Sequence, residues 1–120
     1  MKPKIDSTRF GSITIAGEKY ENDVLIRLNG EVQKRKKKLS KEIYGTSHKI
    51  SLDEAKYVYE DKAELLILGT GQDGMVRLSD EADQYYNKMH CRVKLAPTPE
   101  AIRLWNKAEG SVIALFHVTC

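Results

Sequence analysis

The chain has 120 residues, 41% of them hydrophobic and 31% charged, with a formal net charge of +3. Such a length supports one domain around a single core, here taken as residues 1–120, and the composition excludes a disordered or fibrous chain. No apolar run approaches the ~20 residues that span a bilayer, and two cysteines, Cys91 and Cys120, are too few for a disulfide framework. The first residues, Met1 to Asp6, hold no apolar signal core, so a reducing, cytoplasmic location is expected. Charge is uneven along the chain: residues 1–50 carry twelve Lys/Arg against six Asp/Glu, and residues 51–120 eight against eleven.

The first third is β-rich. Ile13 and Ile15 alternate with Ser12 and Thr14 in a strand over residues 10–16, and Gly17 allows a turn. Val24, Ile26 and Leu28 alternate with Leu25 and Arg27 up to Asn29-Gly30, a two-residue hairpin signal, after which Glu31-Val32-Gln33 returns. These segments predict an antiparallel meander. Lys34, Arg35, Lys36, Lys37 and Lys38, with Lys41 beyond, then form the most charged stretch. It can contact phosphates or an acidic partner, or simply solvate a strand end and discourage edge-to-edge pairing. No aromatic residue interleaves it to stack on bases, which disfavours nucleic acid.

The rest alternates helices and strands. Ser51 followed by Glu54 spells a capping box for a helix with Leu52, Ala55 and Val58 on its apolar stripe. Leu65-Leu66-Ile67-Leu68 is an unbroken apolar run, as for a strand covered on both faces, and it ends at Gly69-Thr70-Gly71. Ser79-Asp80 caps a second helix with Ala82, Tyr85, Tyr86 and Met89 inward. Residues 91–95 alternate apolar with basic, which places that strand towards an edge. Thr98-Pro99 reads as a cap and first helical position, Ala101, Trp105 and Ala108 as the buried side, and Gly110 as the C′ residue. Val112 to Phe116 is a second wholly apolar strand. The fold class expected is three-layer α/β: a central mixed sheet with helices around it and an amino-terminal antiparallel meander.

Three groups of residues can carry chemistry. Gly69-Thr70-Gly71-Gln72-Asp73-Gly74 matches a dinucleotide fingerprint by letter, but Met75 to Leu78 intervene before the next helix and no acidic residue ends the strand at 91–95, so no nucleotide cofactor is expected. Thr46, Ser47 and His48, just before a helix start, can hold an anion, or else satisfy backbone donors within a turn. His117 and Cys120 offer an imidazole and a thiol, yet an i, i+3 spacing puts them on opposite faces of an extended chain, roughly 10 Å apart. Cysteine and histidine spacings match no metal motif, and no catalytic residue or metal site is assigned.

Phe10-Gly11, the Gly45-Thr46-Ser47-His48 turn, Gly69-Thr70-Gly71, Thr98-Pro99-Glu100-Ala101, Asn106 and His117-Val118-Thr119-Cys120, in that order, resemble a small domain of unknown function. The family is typified by the adipogenesis-associated Mth-type domain and by assembly factor 3 of respiratory complex I, and the Gly45-Thr46-Ser47-His48 turn and the His117-Val118-Thr119-Cys120 ending look like its archaeal branch, with an Mth938-like fold. The resemblance implies a layered α/β fold, no established enzymatic activity, and relatives that act in assembly or regulation. The expected function is therefore a binding or assembly module without enzymatic activity, docking a protein partner through Lys34, Arg35, Lys36, Lys37 and Lys38. The alternative is a site for a small anion or metabolite among Thr46, Ser47, His48, Gly69, Thr70, Gly71, His117 and Cys120, whose enzymatic version is thiol chemistry at Cys120.

Overall fold

Residues 2–120 are described by a computed structural model. The chain begins with an antiparallel meander, β1 (Ile5–Arg9), β2 (Ser12–Ile15) and β3 (Glu18–Tyr20), paired in that order. The alternation in β2 is real: Ile13 and Ile15 are buried and Thr14 is half-buried. The β1 strand was not legible, because Asp6-Ser7-Thr8-Arg9 has no apolar period. It forms as the partner of β2, with Ile5 set opposite Ile15.

The expected meander stops at β3. Strands β4 (Val24–Ile26) and β5 (Val32–Lys34) form a separate hairpin, closed at Asn29-Gly30 by the Arg27 and Gly30 N–H groups, and this hairpin joins the main sheet. Val24, Leu25 and Ile26 are all buried, and three consecutive apolar residues need cover on both faces, which a one-sided meander does not give.

The remaining elements are α1 (Lys38–Tyr44), β6 (Lys49–Ile50), α2 (Leu52–Val58), β7 (Leu65–Thr70), β8 (Arg77–Leu78), α3 (Asp80–Lys88), β9 (Arg92–Ala96), α4 (Thr98–Lys107) and β10 (Val112–His117). Helix α1 was missed for a physical reason. It has no acidic residue in its first turn and no side-chain cap, so packing on α2 rather than propensity holds it. The short parallel pair β6–β8 also carries no sequence signal.

The main sheet runs β5-β4-β10-β7-β9. Strands β10 and β7 are parallel, from Val112 opposite Leu65 to His117 opposite Thr70, and β4 is antiparallel to β10. The two wholly apolar strands lie inside and the alternating β9 lies at an edge, as their patterns required. Successive residues of β7 and β10 feed opposite faces. Leu65, Ile67, Val112, Ala114 and Phe116 pack with Trp105 and Ala101 of α4 and with Ile13 and Ile15 of the meander. Leu66, Leu68, Ile113 and Leu115 pack with Ala55 and Val58 of α2 and Ala82 and Tyr86 of α3. These are the three layers.

Thr98 does not cap α4, whose N-cap is Pro97. Its buried hydroxyl instead accepts from the Gly71 N–H at 2.9 Å and donates to the His117 carbonyl at 2.6 Å, tying together the carboxyl ends of β7 and β10. Gly110 likewise lies beyond the C-cap, Ala108. Replacing Thr98 by Val strands a buried donor and a buried acceptor, so urea denaturation of T98V is expected to show a loss of about 2–4 kcal/mol, and T98S about 1 kcal/mol or less.

Candidate functional site

Asp23 immediately precedes β4 and meets the carboxyl end of β10. Its carboxylate is buried, 1% exposed, and its donors come from two distant parts of the chain. Arg35 Nη1 donates to Oδ2 at 2.9 Å, His117 Nδ1 lies 2.7 Å from the same oxygen, and the Val118 N–H donates to Oδ1 at 2.9 Å. The Lys37 ammonium stands 3.8 Å away from the solvent side.

Arg35 is the second buried charge. Its fork donates to both Glu54 oxygens, at 2.6 and 3.0 Å, and to the Ser47 carbonyl at 2.9 Å. Glu54 also accepts from the Ser40 hydroxyl, and Ser40 Oγ accepts from the Ser51 N–H. The expected capping box is thus half formed: Ser51 Oγ accepts from the Glu54 N–H, but the Glu54 side chain turns inward to Arg35 instead of back to Ser51. An arginine fork satisfies a buried carboxylate better than a lysine would, which accounts for the single Arg among lysines.

Burial alone would raise the Asp23 carboxyl. The hydrogen bonds from His117 and Val118 and the Arg35 charge outweigh it and bring the carboxyl from its usual 3.8 to about 2. For Arg35, burial pulls down, while Glu54 and Asp23 push further and leave the guanidinium raised. Asp23 is therefore held ionised beside a permanent cation.

A cleft of about 530 Å³ opens over this cluster. Its walls come from the β1–β2 turn at Gly11, from Glu21 and Asn22, from the segment after β5, and from Val118 and Thr119 after β10, with Asp23 and Arg35 at its base. Lys34, Lys36, Lys37 and Lys38 all contribute to it. Arg35 does not belong to an exposed docking face; it is buried in the ion network beneath. Lys36 lies over the Tyr57 ring, 4.6 Å from its centroid.

Of the other sequence-selected residues, His48 and Thr70 lie beside His117. His48 meets the His117 ring edge-on, with centroids 5.4 Å apart, and Thr70 pairs with His117 across the strands. Thr46 Oγ1 accepts from the His48 N–H, and Ser47 is buried and supplies its carbonyl to Arg35. The Gly69–Gly71 bend is filled. A Cβ on Gly69 would lie 2.6 Å from the Phe116 ring, and one on Gly71, at φ +103°, would lie 2.3 Å from the Cys120 backbone. The N–H groups of Gln72 and Asp73 donate to the Thr119 and Cys120 carbonyls, which occupy the bend. None of Thr46, Ser47, His48, Gly69, Thr70, Gly71, His117 and Cys120 lines the 530 Å³ cleft. Burial pushes the Cys91 thiol up to about 11, and Cys120 is half-buried. Among the described residues no group of three or more His, Cys, Asp or Glu is arranged to hold a metal.

Residues 5–117 match the model of a family described as a protein of unknown function, DUF498/DUF598. The chain belongs to this family. Its solved relatives include the conserved hypothetical protein PH1505 of Pyrococcus horikoshii OT3, 36% identical, with a TM-score of 0.89 over 98% of this chain and 99% of that one. They also include MT938, 33% identical, with a TM-score of 0.84 over 99% of this chain and 100% of that one. The Mth938-like resemblance read from the ordered turns is thereby established. A protein of Bordetella parapertussis, 18% identical with a TM-score of 0.75 over 98% of this chain and 96% of that one, shares the fold. No match was found among curated proteins.

Three members of the site, Asp23, Glu54 and Thr119, escaped the sequence reading, and a fourth, Arg35, was selected only as part of a docking run. Asp23 had only its position as a lone acid against an apolar strand. Glu54 had a better signal, since it falls on the helical stripe three residues after Ser51 and four before Val58. Arg35 was hidden in a charge run, and Thr119 was passed over for Cys120 although i, i+2 from His117 is the spacing that shares a face. Because the Asp23 carboxyl is lower when folded, its stabilisation is complete above pH 3.8 and is lost as pH falls through about 2. Urea titrations stepped from pH 6 to pH 2 are expected to show about 2 kcal/mol lost to this one group, concentrated below pH 4.

Proposed function

We propose that this chain is a binding module whose lysine-walled cleft takes up an anionic group, carried by an acidic protein partner or by a small acid. The observation that supports it most is the imbalance of charge at the cleft. Asp23 and Glu54 are already matched from within by Arg35, and Glu21 has Lys19 within 4.0 Å, so Lys34 and Lys38 stand at the rim with no carboxylate partner within ion-pair distance among the described residues. The base of the cleft is rigid, because its polar atoms are tied to buried partners; a pre-ordered base saves the ordering that binding would otherwise demand. An assembly role, in which the cleft receives an acidic side chain or segment of another protein, uses the same chemistry as capture of a free carboxylate. Rim lysines act mainly through long-range attraction, so binding should weaken as salt rises.

Calorimetric titration with succinate and with a poly-Glu peptide separates the two sources. The double variant Lys34→Glu/Lys38→Glu is expected to bind whichever probe the wild type prefers at least about tenfold more weakly, and the wild-type affinity to fall with added NaCl. Equal affinity in the double variant, or no dependence on salt, contradicts the reading.

A further inference from the structure

Thr119 links the buried His117 ring to the cleft. Its hydroxyl lies 3.1 Å from His117 Nε2, and the other ring nitrogen, Nδ1, lies 2.7 Å from Asp23 Oδ2. Asp23 and His117 are each 1% exposed, while Thr119 is half-buried and lines the cleft. The direction of this chain of hydrogen bonds follows from its acid end. A carboxylate facing Arg35 can only accept, so His117 Nδ1 carries the ring proton; in the neutral imidazole Nε2 is then the acceptor, and the Thr119 hydroxyl donates to it. The second Asp23 oxygen is fixed by the Val118 N–H, which sets the plane of the carboxylate and with it the ring. A hydroxyl on a ring base, with that base oriented by a buried carboxylate, is the arrangement that activates an alcohol for attack on an acyl carbon.

We propose that Thr119 is the nucleophile of an acyl transfer, with His117 as its base and Asp23 as the orienting carboxylate, acting on esters or thioesters of a dicarboxylic acid whose free carboxylate is held by the rim lysines. The substrate class rests on the reading of the cleft as an anion site; the Asp23–His117–Thr119 geometry does not. In the first step Thr119 Oγ bonds to the acyl carbon and its proton passes to His117 Nε2. The bond from that carbon to the leaving oxygen or sulfur breaks with its electron pair, and the leaving atom takes the proton from Nε2. In the second, water gives a proton to Nε2 and adds to the acyl-Thr119 ester; the Oγ–C bond breaks and Oγ recovers the proton. The sum is hydrolysis of the ester to acid and alcohol or thiol, with no change of oxidation state. Neither Cys120 nor the Gly69–Gly71 bend takes part.

The test treats the full chain with the p-nitrophenyl monoester of succinic acid and with p-nitrophenyl acetate. It follows p-nitrophenol release, maps the acyl group by peptide mass spectrometry, and measures thermal stabilisation by succinate in parallel. The wild type is expected to release p-nitrophenol faster from the succinyl ester and to carry the acyl group on Thr119. Thr119→Val, which keeps the side-chain shape, is expected to lose at least about 100-fold of that release while still being stabilised by succinate, and Thr119→Ser to retain it. Release by Thr119→Val equal to the wild type, or an acyl group found only on lysines, overturns the proposal. Stabilisation by succinate without Thr119-dependent release removes the acyl transfer and leaves the binding reading standing. Thr119-dependent release from both esters alike, without stabilisation by succinate, keeps the nucleophile and removes the dicarboxylic substrate class together with the binding reading.

Discussion

The structure turns on a carboxylate that has been taken out of water. Burying an ion costs several kcal/mol unless its neighbours replace the lost hydration, and Asp23 receives those replacements from Arg35, His117 and the Val118 N–H. The donors come from two separate stretches of chain, the segment after β5 and the end of β10. The hairpin after the meander, the end of β10 and the ion pair reaching to α2 are therefore fixed relative to one another by a requirement stricter than apolar packing. Hydrophobic cover tolerates small shifts; a buried charge with three directional partners does not. Glu54 extends the same constraint to Ser40 of α1, which explains how a helix of poor propensity is held in place.

That constraint also decides where the molecule is hollow. Parallel strands of an open sheet usually present ligands at their carboxyl ends, and both β7 and β10 end at the same rim. At β7 the rim is closed, because the backbone of Thr119 and Cys120 lies in the glycine bend and Thr98 stitches the two strands together. At β10 the rim stays open: Asp23 and Arg35 form the floor with groups already satisfied, His117 lies behind Asp23, and Lys34, Lys36, Lys37 and Lys38 contribute to the walls of the cleft.

The sequence was most informative where burial is two-sided. Leu65 to Leu68 and Val112 to Phe116 announced the interior strands, the alternation in residues 91–95 announced an edge, and the ordered turns announced the family. It was least informative where a residue's role depends on a distant partner. Ile5 in β1 has a purpose only opposite Ile15, α1 is stable only against α2, and Thr98 looks like a helix cap until the ends of β7 and β10 are brought beside it. The site shows the same division. His117 and His48 stood out as residue types and do meet, whereas Asp23, Arg35 and Glu54 looked like ordinary surface charges because nothing local distinguishes a charge that will be buried. Only the inward helical position of Glu54 gave a usable hint.

The central claim is that Asp23 stays ionised within the fold and so orders the His117 ring. Long-range 1H–15N NMR of the imidazole groups reads this directly, since protonated and acceptor ring nitrogens have distinct shifts. At neutral pH the His117 signal is expected to report a proton on Nδ1 and an acceptor at Nε2. A proton on Nε2 with Nδ1 bare would mean that Asp23 does not accept from the ring, and would contradict the account.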